Sequence, residues 1–414
     1  MTREFCTAIA LGLGLGLLGL AACSAPETEP AVAGRGEHPS QTGQALDQRS
    51  DRPAAAAVGV LVDSVPTAVA DHELRATRQL WLFACNSDHQ LVRSVRPDAR
   101  APWGAWTIEA GAACAGPPSA SAWSESPHDS VEVVYRSTDN HLIELAYNGG
   151  LSAYELDLSK YTHFGDLANN CNPVIADMGT QSRVSIAVRN PSNQLFTLTA
   201  YGTVWHTQPA KGADGSQVFA ESTLVSWYSD RRALLSAVHN GVSQAFNRYT
   251  WKQGFRAFNA PIPPAVSHGL ITFTSYHGRI QALGKDERGT LVSSPVDQSW
   301  SFAPAPARSP LQSTVYLGAP YAYRAGQSAN ASAVGIALGS TNNATFVSGF
   351  DFFKPVVATA PTDNTRVASA NAVVANPGSE LWADNFVADA DDQLLWWNGS
   401  SSHTFTPMGQ TVLY

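Results

Sequence analysis

Ionisable side chains are scarce. Asp, Glu, Lys and Arg supply 14% of the 414 residues, against about 25% in ordinary soluble domains. The net charge of −8 is spread along the chain with no basic stripe, so nothing would neutralise a phosphate backbone, and nucleic acid is excluded as a partner. Cysteines number five, and their spacings fit no metal-binding pattern. The longest apolar run, residues 8–20, is short and interrupted by glycines, which makes it a poor membrane span. The chain holds no zinc-protease helix motif, no phosphate loop and no dinucleotide fingerprint. Gly241-Val242-Ser243-Gln244-Ala245 lacks the last glycine of a nucleophile elbow. Asp384, Asp389, Asp391 and Asp392 gather at a turn without the glycine and terminal glutamate of a calcium loop. No cofactor and no metal is therefore implied, and no catalytic residue is assigned.

What the composition does contain is Ser, Thr, Asn, Gln and aromatic residues in place of the missing charge. That is a surface suited to hydrogen-bonding neutral partners. At the N-terminus, Arg3 and the 8–20 run are followed by Leu20-Ala21-Ala22-Cys23. The run reads as the apolar core of a signal peptide, and the four residues resemble the lipobox of bacterial lipoproteins. The resemblance implies cleavage before Cys23, lipidation of its thiol and anchoring in a membrane through the acyl chains, each buried methylene adding ~0.8 kcal/mol. Ser24 after the cysteine implies the outer membrane in a host with two. From Ser24 to about Ala57 the chain is rich in Pro, Glu, Ser, Gly and Gln, a composition that builds no core. The expected organisation is a signal peptide at 1–22, a lipidated cysteine and disordered tether at 23–57, and a folded body at 58–414. Three thiols remain in that body, Cys85, Cys114 and Cys171. They leave room for one disulfide and one free thiol, with the pairing open.

Within the body one segment recurs: a β-rich run, a polar turn, and a second β-rich run opening on leucine. Its clearest copies are residues 79–91, 131–142 and 183–195, with weaker ones at 232–244, 279–291, 333–346 and 380–394. The residues after the turn, Leu91, Leu142, Leu195, Leu291 and Leu394, stand 51, 53, 96 and 103 positions apart. The last two intervals are near twice the first two, so seven units result. Each unit opens on a short apolar strand and closes near an aromatic residue: Trp106, Tyr154, Trp205, Phe255, Trp300, Phe353 and Phe405. Four strands per repeat are the signature of a β-propeller with four-stranded antiparallel blades. The alternation of Val, Ile, Thr and aromatic residues, with no sustained 3.6-residue period, excludes a helical solenoid.

The segment R-V-x-I-x-V-R-N-x-x-N-Q-L at 183–195, followed by Gly-Thr-Val-Trp-His at 202–206, resembles the repeats of seven-bladed lectins of the Photorhabdus-lectin type and related sialidase-like propellers. The resemblance implies an all-β, seven-bladed propeller and carbohydrate binding. No S-x-D-x-G-x-T-W box of the sialidases occurs.

Trp123, Trp227, Tyr276 and Tyr323 recur at the ends of the first strands of their units. They form a candidate ligand-binding ring, with Glu125, Asp177, Arg231 and Arg324 nearby to bond sugar hydroxyls. The other reading of the ring is packing between blades. On the third strand of the last unit, alternation sends one of Trp396 and Trp397 inward and the other outward, the outward ring either closing the last blade on its neighbour or touching ligand. Three functions stay open. The first is a surface-tethered binding lipoprotein, lectin-like or a scaffold for an envelope protein partner. The second is a glycoside hydrolase or lyase using carboxylates such as Asp177, Glu221 and Asp230. The third is a structural component of an envelope complex.

Overall fold

The computed structural model describes residues 67–70, most of 79–297 and, from there to 408, mainly the strands. The N-terminal segment with Cys23 and the tether lies outside the described residues. Sheet one orders β1 (Thr67–Ala70), β2 (Leu80–Cys85), β3 (Leu91–Arg96) and β4 (Thr107–Ile108) as an antiparallel meander. Sheet two repeats it with β5 (Ser119–Glu125), β6 (His128–Arg136), β7 (Leu142–Asn148) and β8 (Ala153–Asp157), followed by a single helical turn, α1 (Leu158–Tyr161). Sheet three holds β9 (Val174–Asp177), β10 (Val184–Arg189), β11 (Leu195–Tyr201) and β12 (Val204–Pro209). In sheet four come β13 (Ser222–Ser229), β14 (Arg232–His239), β15 (Val242–Arg248) and β16 (Arg256–Ala257). Sheet five has β17 (Thr272–Tyr276), β18 (Arg279–Lys285), β19 (Leu291–Val296) and β20 (Ala307–Arg308). Next, β21 (Tyr316–Leu317) pairs with β23 (Gly339–Ser340), and β22 (Val334–Ala337) joins β24 (Thr345–Gly349) and β25 (Val356–Thr359). A last four-stranded sheet contains β26 (Ala372–Ala375), β27 (Ala383–Ala388), β28 (Leu394–Trp397) and β29 (Thr406–Pro407).

Alternation of side chains along a strand sends successive residues into two different seams. From β2, Leu80, Leu82 and Ala84 pack with Leu394 and Met408 of the last sheet. Their neighbours Trp81, Phe83 and Cys85 pack with Val131, Val133 and Tyr135 of sheet two. In sheet three, Ile186 and Val188 meet Val134 and Leu142 of sheet two, while Ala187 meets Leu235 and Phe246 of sheet four. A sheet buried on both faces needs apolar residues at consecutive positions. That is why β2 reads LWLFAC, and each such side chain contributes ~1.5–3 kcal/mol by leaving water. The first strands also touch in sequence, β1 to β5, β5 to β9, β9 to β13 and β13 to β17, and β26 returns to β1. Sheets stacked face to face with their first strands side by side are arranged radially. Trp396 of the last sheet packs against the cluster shared with sheet one, under the Arg96 guanidinium at 5.3 Å from its ring. This is the expected closing contact; the Trp397 side chain lies outside the described residues.

The turns explain how one sheet catches the next. Asn86 Oδ1 accepts from the backbone N–H of Asp88 and Gln90, and Asn190 Oδ1 does the same for Ser192 and Gln194. These side chains mimic backbone turns and hold the hairpins closed. His89, Asn140 and Asn193 take left-handed conformations, with φ of 58°, 64° and 59°, which Asn and His tolerate better than most residues. Their carbonyls accept the N–H of Cys114, Leu167 and Ala220, each on the segment that crosses to the next sheet. The following residue donates into the next sheet: Ala115 to Arg136, Ala168 to Arg189 and Glu221 to Val238. The crossings thus enter sheets two, three and four at the same end, and the chain direction repeats.

Asp157 caps α1 by accepting from the Lys160 N–H at 3.0 Å, and also holds His141 Nδ1 at 2.9 Å and Lys160 Nζ at 3.0 Å. Burial alone would raise its carboxyl pKa, but the bonds from Lys160 and His141 outweigh burial and hold it below the ordinary carboxylate range. A carboxyl depressed in the fold stabilises above its unfolded pKa of about 3.9 and loses that contribution as pH falls through the folded value. Asp157→Asn keeps an acceptor at the cap but loses the charge that faces Lys160 and His141, and is therefore expected to cost roughly 0.3–1 kcal/mol at pH 6. The gap to wild type should narrow at about pH 3 and close as the pH falls further through the folded value. Paired urea titrations at the two pH values check both the size and the sign.

Candidate functional site

Because the crossings enter sheets two to four at one end, the C-termini of their first strands emerge together at the other. Trp123 stands on β5 opposite Ser130, with Glu125 ending that strand. Asp177 ends β9 opposite Val184. Trp227 lies near the end of β13 opposite Ala233, where the register shifts before Ser229, and Tyr276 ends β17 opposite Arg279. The backbone thus gives Trp123, Trp227 and Tyr276 equivalent places on first strands. Their side chains, and Tyr323 altogether, lie outside the described residues.

Of the carboxylates considered for a hydrolase, Asp230 lies outside the described residues, and Asp177 ends β9 while Glu221 stands at the other end of its first strand. Glu221 directly precedes β13 and Ser229 ends it, so the strand separates them by eight residue steps of ~3.3 Å, roughly 26 Å. Paired carboxylates of a glycosidase stand ~5–9.5 Å apart. Glu221 stands at the crossing end of β13, where it accepts from the Asn240 N–H at 3.1 Å. Ser243 sits inside strand β15 and is buried, with none of the exposure of an elbow serine. Among the described residues no three His, Cys, Asp or Glu side chains are grouped to hold a metal ion.

The aromatic residues near the last strands divide. Trp106 and Phe255 are buried in core clusters and Trp205 packs against one. Tyr154, by contrast, is 51% exposed. Trp300, Phe353 and Phe405 lie outside the described residues.

Sequence reasoning missed two buried polar groups that join the sheets. At the seam of sheets one and two, Arg93 Nε lies 3.1 Å from Glu109 Oε1, with side chains 6% and 0% exposed. The Arg93 guanidinium stands 5.1 Å from the Trp81 ring and 5.0 Å from that of Tyr147. A cation between two aromatic faces is attracted by both quadrupoles, and its carboxylate partner offsets the cost of burying it. Tyr135 on the same seam has its hydroxyl pKa pushed far up, by burial first and then by the Glu155 and Glu109 carboxylates. Closed to solvent, this cluster holds two sheets together.

The second group is a pair of equivalent arginines that end the second strands of sheets two and three. Arg136 Nη1 donates to Asn140 Oδ1 at 3.0 Å, and Arg189 Nη1 to Asn193 Oδ1 at 3.0 Å. Each also reaches a connecting segment: Arg136 Nε donates to Cys171 O, and Arg189 Nη1 to Ala220 O. In sheet one the same strand-end position is Cys85, bonded to Cys114 on the crossing. One structural task, tying a strand end to the next connection, is performed by a disulfide once and by guanidinium groups twice. Cys171 is the buried free thiol, and burial pushes its pKa up.

No protein-family model matches the chain, and no curated protein matches it. Solved structures do. A Burkholderia pseudomallei lectin, BP39L, aligns with a TM-score of 0.58 at 14% identity, over 84% of this chain and 100% of that one. The fucose-specific lectin of Aleuria aurantia aligns with a TM-score of 0.50 at 10% identity, over 85% of this chain and 96% of that one. A variant of the Aleuria lectin in complex with α-methyl-L-fucoside aligns with the same score at 11% identity. At such identities the likeness is one of fold, and together with the radial four-stranded sheets it makes this body a β-propeller.

Proposed function

We propose that the chain is a surface-tethered bacterial lipoprotein whose seven-bladed propeller binds carbohydrate as a lectin does. The observation that carries the reading is the placement of Trp123, Trp227 and Tyr276 at equivalent ends of first strands, with Glu125 and Asp177 ending two of those strands. Aromatic faces stack on sugar C–H groups and carboxylates accept hydroxyls, which is the chemistry of saccharide recognition. The lectins of like fold, one of them fucose-specific, support the same reading. A count of seven is supported by six four-stranded sheets with the short strands β21 to β25 between sheet five and the last one.

A glycan array probed with the body from about Ala57 onward tests the function. If Trp227 stacks on sugar, Trp227→Ala weakens binding by ~0.5–1.5 kcal/mol, roughly two- to tenfold, and leaves the melting temperature in place. A loss of ~3–5 kcal/mol in stability with unchanged affinity would instead make it core.

The anchor is part of the same proposal. Cys23 carries the lipid, residues 24–57 form the tether, and the Cys85–Cys114 disulfide supports export, since such bonds persist in oxidising compartments. Outer-membrane or cell-surface location follows if the host has two membranes. Labelling of the host with radioactive palmitate should mark the wild type, and Cys23→Ala should abolish both labelling and membrane retention. A mutant that stays membrane-bound in high salt would refute the anchor.

A further inference from the structure

The turn between the second and third strands differs in sheet four. Sheets one, two and three close that hairpin through five residues, between Cys85 and Leu91, Arg136 and Leu142, and Arg189 and Leu195. In sheet four His239 pairs directly with Val242, leaving only Asn240 and Gly241 as the connection. Asn240 takes a left-handed conformation with φ of 49°, as the first residue of a tight Asn-Gly turn requires. Beside this short turn runs the crossing from sheet three, where Phe219 bridges to Gln194. Phe219 is 38% exposed and Val242 59% exposed, in a body whose other described large apolar residues are mostly buried.

Polar groups surround the exposed ring in a fixed arrangement. The Phe219 and His239 rings stack at 6.1 Å with a 32° tilt. Asn240 Nδ2 lies 3.1 Å from His239 Nε2, and His239 Nδ1 stands 3.9 Å from Glu221 Oε1. The Asn240 N–H holds that same Oε1, and among the described residues Glu221 Oε2 and Asn240 Oδ1 are left as acceptors on the two segments that flank His239. Glu221 itself is anchored by its N–H to Val238 O at 2.7 Å.

We propose that this seam of sheets three and four is a second saccharide subsite. A neutral pyranose lies with its C–H face on Phe219 and donates hydroxyls to Glu221 Oε2 and Asn240 Oδ1. The ring supplies apolar contact, the carboxylate and amide orient the hydroxyls, and both polar groups are pre-positioned by the hairpin and crossing. The subsite lies at the crossing end of the strands, opposite the end that bears Trp227, so it stands or falls separately from the strand-end face.

Saturation-transfer NMR with the methyl glycosides of fucose, mannose, galactose and N-acetylglucosamine tests it on the soluble body. Phe219→Ala should weaken binding of at least one glycoside roughly three- to tenfold. Glu221→Gln should weaken the same glycoside by about tenfold, while Trp227→Ala leaves that component in place. Near-UV circular dichroism checks that each variant is folded, which the exposure of Phe219 favours. Binding unchanged in both Phe219→Ala and Glu221→Gln overturns the subsite, even if Trp227→Ala shows the strand-end face to be real. Absence of binding to all four glycosides by the wild type overturns it as well.

Discussion

Arg189→Leu is expected to destabilise the propeller by about 3–5 kcal/mol, seen as a lower urea midpoint with an unchanged slope. The guanidinium is 1% exposed. Its Nη1 donates to Asn170 Oδ1 at 3.2 Å, Asn193 Oδ1 at 3.0 Å and Ala220 O at 3.2 Å, and its Nη2 to Asn170 O. Those acceptors belong to the connection from sheet two, the hairpin of sheet three and the crossing to sheet four, so one side chain ties three segments. Leucine fills part of the space but removes the donor from four acceptors: the two on exposed Asn170 can turn to water, whereas the carbonyl of buried Ala220 cannot. Each buried polar atom left unpaired costs ~1–3 kcal/mol, and relaxation recovers part of the sum. Burial pushes the Arg189 pKa down from its ordinary value, a sign that holding the cation there is itself costly. Arg189→Lys keeps the charge but not the planar fork, so its midpoint should fall between the other two. A loss below about 1 kcal/mol for Arg189→Leu would show that water replaces these bonds and that the arginine ties nothing.

Removing the disulfide should have an effect of similar size. Cys85 and Cys114 are 29 residues apart, and closing such a loop lowers the entropy of the unfolded chain by an amount worth ~3–4 kcal/mol. Cys85→Ser with Cys114→Ser is expected to lower the thermal midpoint by several degrees. Reductant should move the wild type to the same value and leave the double mutant unaffected. Cys171 cannot take over, because it is fully buried between sheets two and three in another cluster. A thiol reagent should therefore find no reactive group in the native body and one after unfolding. A midpoint indifferent to reductant would mean the bond adds nothing to the fold.

The hairpins were open to a reader of the sequence because they are governed by local rules. Leu91, Leu142, Leu195, Leu291 and Leu394 each open a third strand, as their place after a polar turn indicates. The interval of 96 residues from Leu195 to Leu291 falls short of two repeats partly because sheet four turns through Asn240 and Gly241 alone. Asn-Gly is the sequence mark of that turn. Strand alternation, turn residues and left-handed asparagines act over a few residues, so the chain writes them down directly.

The seams are another matter. Three thiols permit three pairings, and only the crossing that lays Cys114 beside the end of β2 selects Cys85. Nothing in the spacing of Arg93, Glu109, Trp81 and Tyr147 announces that they meet, because Tyr147 comes from a different sheet. Asp177 and Glu221 look like partners of one site in a linear reading, yet Asp177 ends β9 while Glu221 directly precedes β13, at opposite ends of the first strands. The exposure of Phe219 depends on how short the facing hairpin is. The sequence alone determined the period, the strands and the turns, which follow from backbone hydrogen bonding between residues close along the chain. Tertiary structure decided which groups are buried, bonded or exposed at the seams, because packing and desolvation there depend on side chains brought together from separate sheets.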